Sequence, residues 1–249
     1  MARRALAAGL NHIVVSVHGA DERSHDRLTR SVSSYAQTIV GLRTLARLKH
    51  RYPFRLHTST VVNRRNYLLL HDIWASLQGL QIDQFIFNVI QPVGRAESRF
   101  GKLVARFSDV AQSFSEFVLR LPPEERRRVF LLDVPACVTE NLPPEVRGFV
   151  ERYQYYEHES GLDDALRADF ETGEPDDEGA PLRLLTRRRL DETRKSKRDE
   201  CARCIHEPHC DGVWNRYIET HGWAEFQPVC AEENDRDEQT SASGRPVGE

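Results

Sequence analysis

The sequence lacks any apolar run near the roughly 18 residues that a membrane-spanning helix needs. Its start, Met1 to Leu10, is basic and Ala-rich, but it runs directly into the polar pair Asn11-His12. There is no apolar stretch there long enough for a signal peptide. It also lacks a dominant charge: the 249 residues sum to -3, so the chain as a whole has no bulk attraction for nucleic acid or an anionic membrane. No cysteine precedes Cys137. No internal repeat is present. These features predict a cytoplasmic protein with neither nucleic acid nor membrane as partner.

Hydrophobic residues make up 39% and charged residues 29%, as in a globular protein with a polar tail. Ala2 to Leu10 reads as the end of a helix. His12 to Val17 is a β-branched run that stops at His18-Gly19. Ser34 to Lys49 places Tyr35, Ile39, Leu42, Leu45 and Leu48 near a helical period. Phe54 to Val62 reads as a strand leaving at Asn63, Leu68 to Leu80 as a helix, and Phe85 to Ile90 as a buried strand stopped by Pro92 and Gly94. Val110 to Leu121 is an amphipathic helix stopped by Pro122-Pro123. The order α-β-α-β-α-β-α predicts an α/β fold with parallel strands and crossover helices. Three strands are too few to close a barrel, so a half-barrel or small open sheet with an exposed edge is expected, as from a truncated N-terminus.

Beyond Pro123 the pattern changes. Arg128 to Val134 is one more strand, and Pro143 to Tyr156 a tyrosine-rich helix. Asp163 to Pro181 is acidic. Leu182 to Arg198, with Arg187, Arg188 and Arg189, reads either as a patch for an acidic peptide or nucleic acid, or as a solvated basic face. Glu232 to Glu249 has almost no apolar content and is expected to be disordered.

Four of the five cysteines fall in the last fifty residues. An odd, clustered set argues for a metal site over a disulfide framework. Cys201-x2-Cys204-x5-Cys210 puts three thiolates within ten residues. Zinc would take a fourth ligand such as His206 or His209. A 4Fe-4S cluster would take a fourth thiolate, from Cys137 or Cys230. Spacing alone leaves both open.

The stretch Cys201-x2-Cys204-x5-Cys210-Asp211-Gly212-Val213-Trp214, followed by Tyr217 and by Gly222-x2-Glu225-Phe226-x-Pro228, resembles the end of radical S-adenosylmethionine proteins. The resemblance is to those with an auxiliary-cluster extension of the SPASM or shorter Twitch type. Upstream, His12-Ile13-Val14-Val15-Ser16-Val17-His18-Gly19 with His25-Asp26 is similar to the family's fourth barrel strand. Thr60-Val61-Val62-Asn63 with Asn66 is similar to the fifth, and Phe85 to Ala96 to the sixth. The likeness covers roughly residues 1 to 230. The family's Cys-x3-Cys-x2-Cys loop is absent, as is its glycine-rich second-strand segment. Trp214 stands where the full SPASM pattern has a further cysteine, which implies one auxiliary cluster instead of two.

The resemblance implies the C-terminal half of a radical S-adenosylmethionine β/α barrel over residues 1–123. An auxiliary 4Fe-4S domain would follow over 124–230, and a disordered tail over 231–249. Cys201, Cys204 and Cys210 would hold the cluster. Cys137 sits where the family often places its first auxiliary cysteine, and Cys230 near where SPASM domains place their last. S-adenosylmethionine would bind only in a complete protein, with Ser16 on the ribose, Asn63 at the mouth and the Val89, Ile90 and Gln91 backbone against the adenine. The bland alternatives are a strand-end hydroxyl for Ser16 and a turn former for Asn63. A peptide or small protein is the expected substrate and the missing barrel half the expected partner. The chain alone is expected not to cleave S-adenosylmethionine.

Overall fold

The computed structural model describes residues 2–150 and 194–230. Four strands, β1 (His12–Ser16), β2 (Arg55–Val62), β3 (Gln84–Val89) and β4 (Val129–Leu132), pair in parallel in the order β1-β2-β3-β4. The fold is therefore mixed α/β around a parallel sheet. The strand expected near residue 130 joins this same sheet through β3, although it lies beyond the boundary expected at residue 123.

Helices fill each connection. α1 (Ala2–Ala7) precedes β1, and α2 (Glu22–Thr29) and α3 (Ser34–Leu48) lead to β2. α4 (Leu70–Ser76) leads to β3, with α5 (Phe100–Leu103) and α6 (Phe107–Arg120) before β4. α2 starts on a capping box in which Asp21 accepts from the Ser24 amide at 2.7 Å. The helix expected from Leu68 to Leu80 begins with a 3-10 turn at Tyr67–Leu69 and ends at Ser76, short of Gly79 in the left-handed region (φ 78°).

Right-handed crossovers are the rule, and a sheet wound in one direction then receives its helices on one face. The buried side chains agree. Val17, Leu56, Val62, Phe85, Phe87, Val89, Val129 and Leu131 share one core with Leu42 and Leu45 of α3, Ile73 of α4 and Phe114, Phe117 and Val118 of α6. Phe87, Phe114 and Phe117 meet edge to face.

The opposite face is more polar and less covered. Register aligns Val14 with His57 and Gln84, Ser16 with Ser59 and Ile86, and Val61 with Asn88 and Leu132. Ile86, Phe130 and Leu132 are buried, Ser59 and Asn88 half-buried, and Val14 and Ser16 exposed at the β1 edge. Ser59 Oγ donates to Asn88 Oδ1 at 3.0 Å.

Residues 144–150 are helical, in accord with the start of the expected tyrosine-rich helix. The rest of that helix, the acidic stretch, all but the end of the basic run and the tail lie outside the described residues. Among the described residues no helix is long and apolar enough to cross a membrane.

Candidate functional site

The cysteine loop is closed at its base by a short antiparallel ladder, β5 (Lys195–Ser196) with β6 (Val213–Trp214). Lys195 Nζ lies 4.6 Å from the centre of the Trp214 ring, which reinforces the pairing. Between the strands, 3-10 turns at Asp199–Arg203 and Glu207–His209 fold the loop back on itself. The Cys204 amide donates to Cys201 O at 3.0 Å, which brings the first two thiols onto one tight turn.

Gly212 makes the return to β6 possible. Its φ is 92°, and a Cβ built there would sit 2.7 Å from Ser196 O. Only glycine fits. Its amide then donates to Cys210 Sγ at 3.4 Å. A second N–H···S bond runs from Val229 to Cys204 Sγ at 3.3 Å, while Val229 O accepts from the Ile205 amide at 2.8 Å.

Cys137 arrives from the sheet. It lies on the single turn α7 (Ala136–Thr139), just past β4. His206 Nε2 stands 3.4 Å from Glu140 Oε2 beside that turn, and Glu140 also pairs with Arg147 at 2.6 Å. Cys137, Cys201, Cys204 and Cys210 line one pocket, partly open to solvent, with Lys197, His206, Trp223 and Phe226 in its wall. Cys230 is exposed and is not among the lining residues. Residues 137 and 201 are far apart in sequence, so no spacing rule could have distinguished Cys137 from Cys230.

Burial first, then the neighbouring thiols of Cys210, Cys204 and Cys201, push the Cys137 thiol up to about 12. Burial likewise raises Cys210, against the opposing pull of the Gly212 amide. The two thiols are therefore protonated at neutral pH, and any metal that takes them must displace protons. Among the described residues, no group of three or more His, Cys, Asp or Glu side chains is arranged to hold a metal ion.

The cysteine unit is fixed to the sheet scaffold by residues whose roles the sequence did not reveal. Tyr217, on the helix Asn215–His221, stacks on Phe107 at the start of α6, and its hydroxyl accepts the Phe107 amide at 2.8 Å. That hydroxyl donates to Glu225, which also accepts the Ser108 amide at 2.8 Å. Glu225 thus supplies to the first turn of α6 an acceptor that its own N-cap, Arg106, does not. Burial, then the Glu225 contact, hold the Tyr217 phenol well above its usual range, so it stays protonated.

The residues expected at the nucleotide end lie at the C-terminal ends of the first three strands. Ser16 is exposed at the end of β1. Asn63 is buried, with Nδ2 donating to Val61 O and Oδ1 accepting from the Arg65 amide, both at 3.0 Å. Its polar atoms are thus engaged in the local turn. Val89 and Ile90 are buried, and the Ile90 amide donates to Val62 O at 2.9 Å. Gln91 Nε2 donates to Asp133 Oδ1 at 2.9 Å. Nearby, His18 Nδ1 accepts from the Val61 amide at 3.2 Å and His25 Nδ1 from the His18 amide at 3.1 Å. Both Nδ1 atoms are acceptors, which fixes both neutral rings as Nε2–H tautomers.

No protein-family model matches the chain, and no curated protein matches it.

Proposed function

We propose that this chain carries one auxiliary 4Fe-4S cluster on Cys137, Cys201, Cys204 and Cys210, as part of a radical S-adenosylmethionine enzyme that modifies a peptide. The supporting observation is the cavity shared by those four thiols. Four thiolates are the ligand set of a 4Fe-4S cluster. A single zinc holds each sulfur about 2.3 Å away and closes its ligands on one point. Amide donors on two of the sulfurs supply the hydrogen bonds that tune such clusters.

Bound there, the group would supply one-electron transfer and a structural tie. The chain's own residues would hold it: the ladder and Gly212 set the loop, α7 delivers Cys137, and Tyr217 and Glu225 anchor the unit to the sheet. Among the described residues the sheet is open with β1 at its edge, and its polar face suits half of a barrel that a further set of strands would complete. Five free thiols suit a reducing compartment such as the cytoplasm.

Anaerobic purification followed by iron, sulfide and zinc analysis tests the reading. Brown protein with about four irons per chain is expected. Colourless protein with one zinc would replace it with a zinc-binding interaction module.

A further inference from the structure

The loops that leave β2 and β3 at their C-terminal ends are strongly basic. Residues 63–69 and 90–106 together carry Arg64, Arg65, Arg95, Arg99, Lys102 and Arg106 against a single acid, Glu97. The five arginines and the lysine are all exposed. Among the described residues, none of the six has an ion-pair partner, whereas Lys195, Lys197 and Arg198 of the cysteine unit all do.

The two loops form one surface. The Arg64 amide donates to Leu103 O at 2.7 Å, which ties the β2 loop to α5. Burial, then the Arg106 charge and more weakly that of Arg64, lower the basicity of His221 against the opposing pull of Glu225. Both cations therefore crowd one spot beside the helix Asn215–His221. Leu68, in the same β2 loop, is 71% exposed and adds an apolar foothold.

Like charges repel one another, and six cations gathered around the acids Glu97 and Glu225 leave a net positive surface that favours an anionic visitor. The carboxyl ends of parallel strands are where open α/β sheets receive ligands. Among the described residues the exposed large apolar side chains are aliphatic, and Tyr67, the aromatic of the β2 loop, is half-buried, which offers nucleobases little stacking surface there. A segment that offers carboxylates with an aliphatic side chain between them matches the surface better than a nucleic acid does.

We infer that this basic rim docks an acidic, leucine-bearing stretch of a peptide substrate at the C-terminal end of the sheet. The inference rests on the peptide-modifying reading and specifies the substrate class.

The test is fluorescence anisotropy on the full chain, with a labelled peptide of alternating Glu and Leu as probe. A single-stranded oligonucleotide of equal charge is the comparison. The variant Arg64→Glu/Arg65→Glu/Lys102→Glu is expected to weaken peptide binding at least about tenfold. Arg27→Glu/Arg43→Glu/Arg47→Glu, on α2 and α3, removes equal charge and is expected to change it less than about twofold. Circular dichroism checks folding, and the milder Arg64→Gln/Arg65→Gln/Lys102→Gln serves if the reversal unfolds the protein. Three results would overturn the inference: no peptide binding by the parent chain, equal loss in both variants, or tighter binding of the oligonucleotide. Iron content, measured on the same samples, separates its failure from failure of the cluster assignment.

Discussion

The Tyr217 ring lies flat against the Phe107 ring, with centroids 4.2 Å apart, while its hydroxyl takes the Phe107 amide. One residue thus joins the cysteine unit to the sheet scaffold through both packing and a polar contact. Tyr217→Phe keeps the stack, leaves the Phe107 amide without its acceptor and leaves Glu225 with the Ser108 amide alone. A loss of about 1–3 kcal/mol is expected in urea unfolding of the full chain. An unchanged midpoint would show that the contact carries no stability.

Gly212 and Gly79 make a matched pair. Both have left-handed φ, but a Cβ at Gly79 meets open space, whereas one at Gly212 strikes Ser196 O. Gly79→Ala should cost only the backbone strain, about 1 kcal/mol. Gly212→Ala should cost clearly more, about 2–4 kcal/mol, and lower the iron retained after reconstitution. Equal costs would mean that the close approach is unimportant.

The cysteines should divide four to one. Serine at Cys137, Cys201, Cys204 or Cys210 is expected to remove most of the iron and the visible absorbance. Cys230→Ser should retain both, because Cys230 stands exposed outside the cavity. Loss of iron in Cys230→Ser with retention in Cys137→Ser would reverse the assignment of the fourth thiolate.

Stability should fall as pH drops from about 6.5 to about 4. His18 and His57 are both lowered to about 4, by burial first and then by the charges of His25 and His12 respectively. Between those values the unfolded chain binds protons that the native rings refuse, so acid favours unfolding. The slope is at most about 1.4 kcal/mol per pH unit for each histidine, and less where solvent reaches the ring. His18→Gln should flatten the profile in this window. A profile level from pH 7 to 5 would show that these rings are not held neutral.

Asn66 is buried and spans two strand ends: Nδ2 donates to His18 O and Val61 O, and Oδ1 accepts the Asn63 amide. Asn66→Ala leaves His18 O and the Asn63 amide unpaired, while Val61 O keeps Asn63 Nδ2, and should cost about 2–4 kcal/mol. Normal thermal stability in that variant would show that the strand ends hold without it.

Much of the scaffold was legible because its signals are local. The β-branched run His12 to Val17 and the periodic leucines of α3 place their elements within a residue or two. The Val129–Leu132 strand was also visible, but its membership of the main sheet was not. That pairing with β3 is made across the whole of α6, and nothing in four apolar residues names their neighbour. The same holds for Glu225, whose partners at Ser108 and Tyr217 cannot be inferred from a Gly-x2-Glu spacing.

The sequence by itself determined the alternation of strands and helices and the closeness of Cys201, Cys204 and Cys210, since hydrophobic period and short spacing act within a few residues. Only the tertiary structure decided that Cys137 shares their cavity while Cys230 does not, and that the basic loops after β2 and β3 form one rim. Those relationships depend on parallel pairing and on the docking of Tyr217 against Phe107, contacts made between segments far apart in the chain.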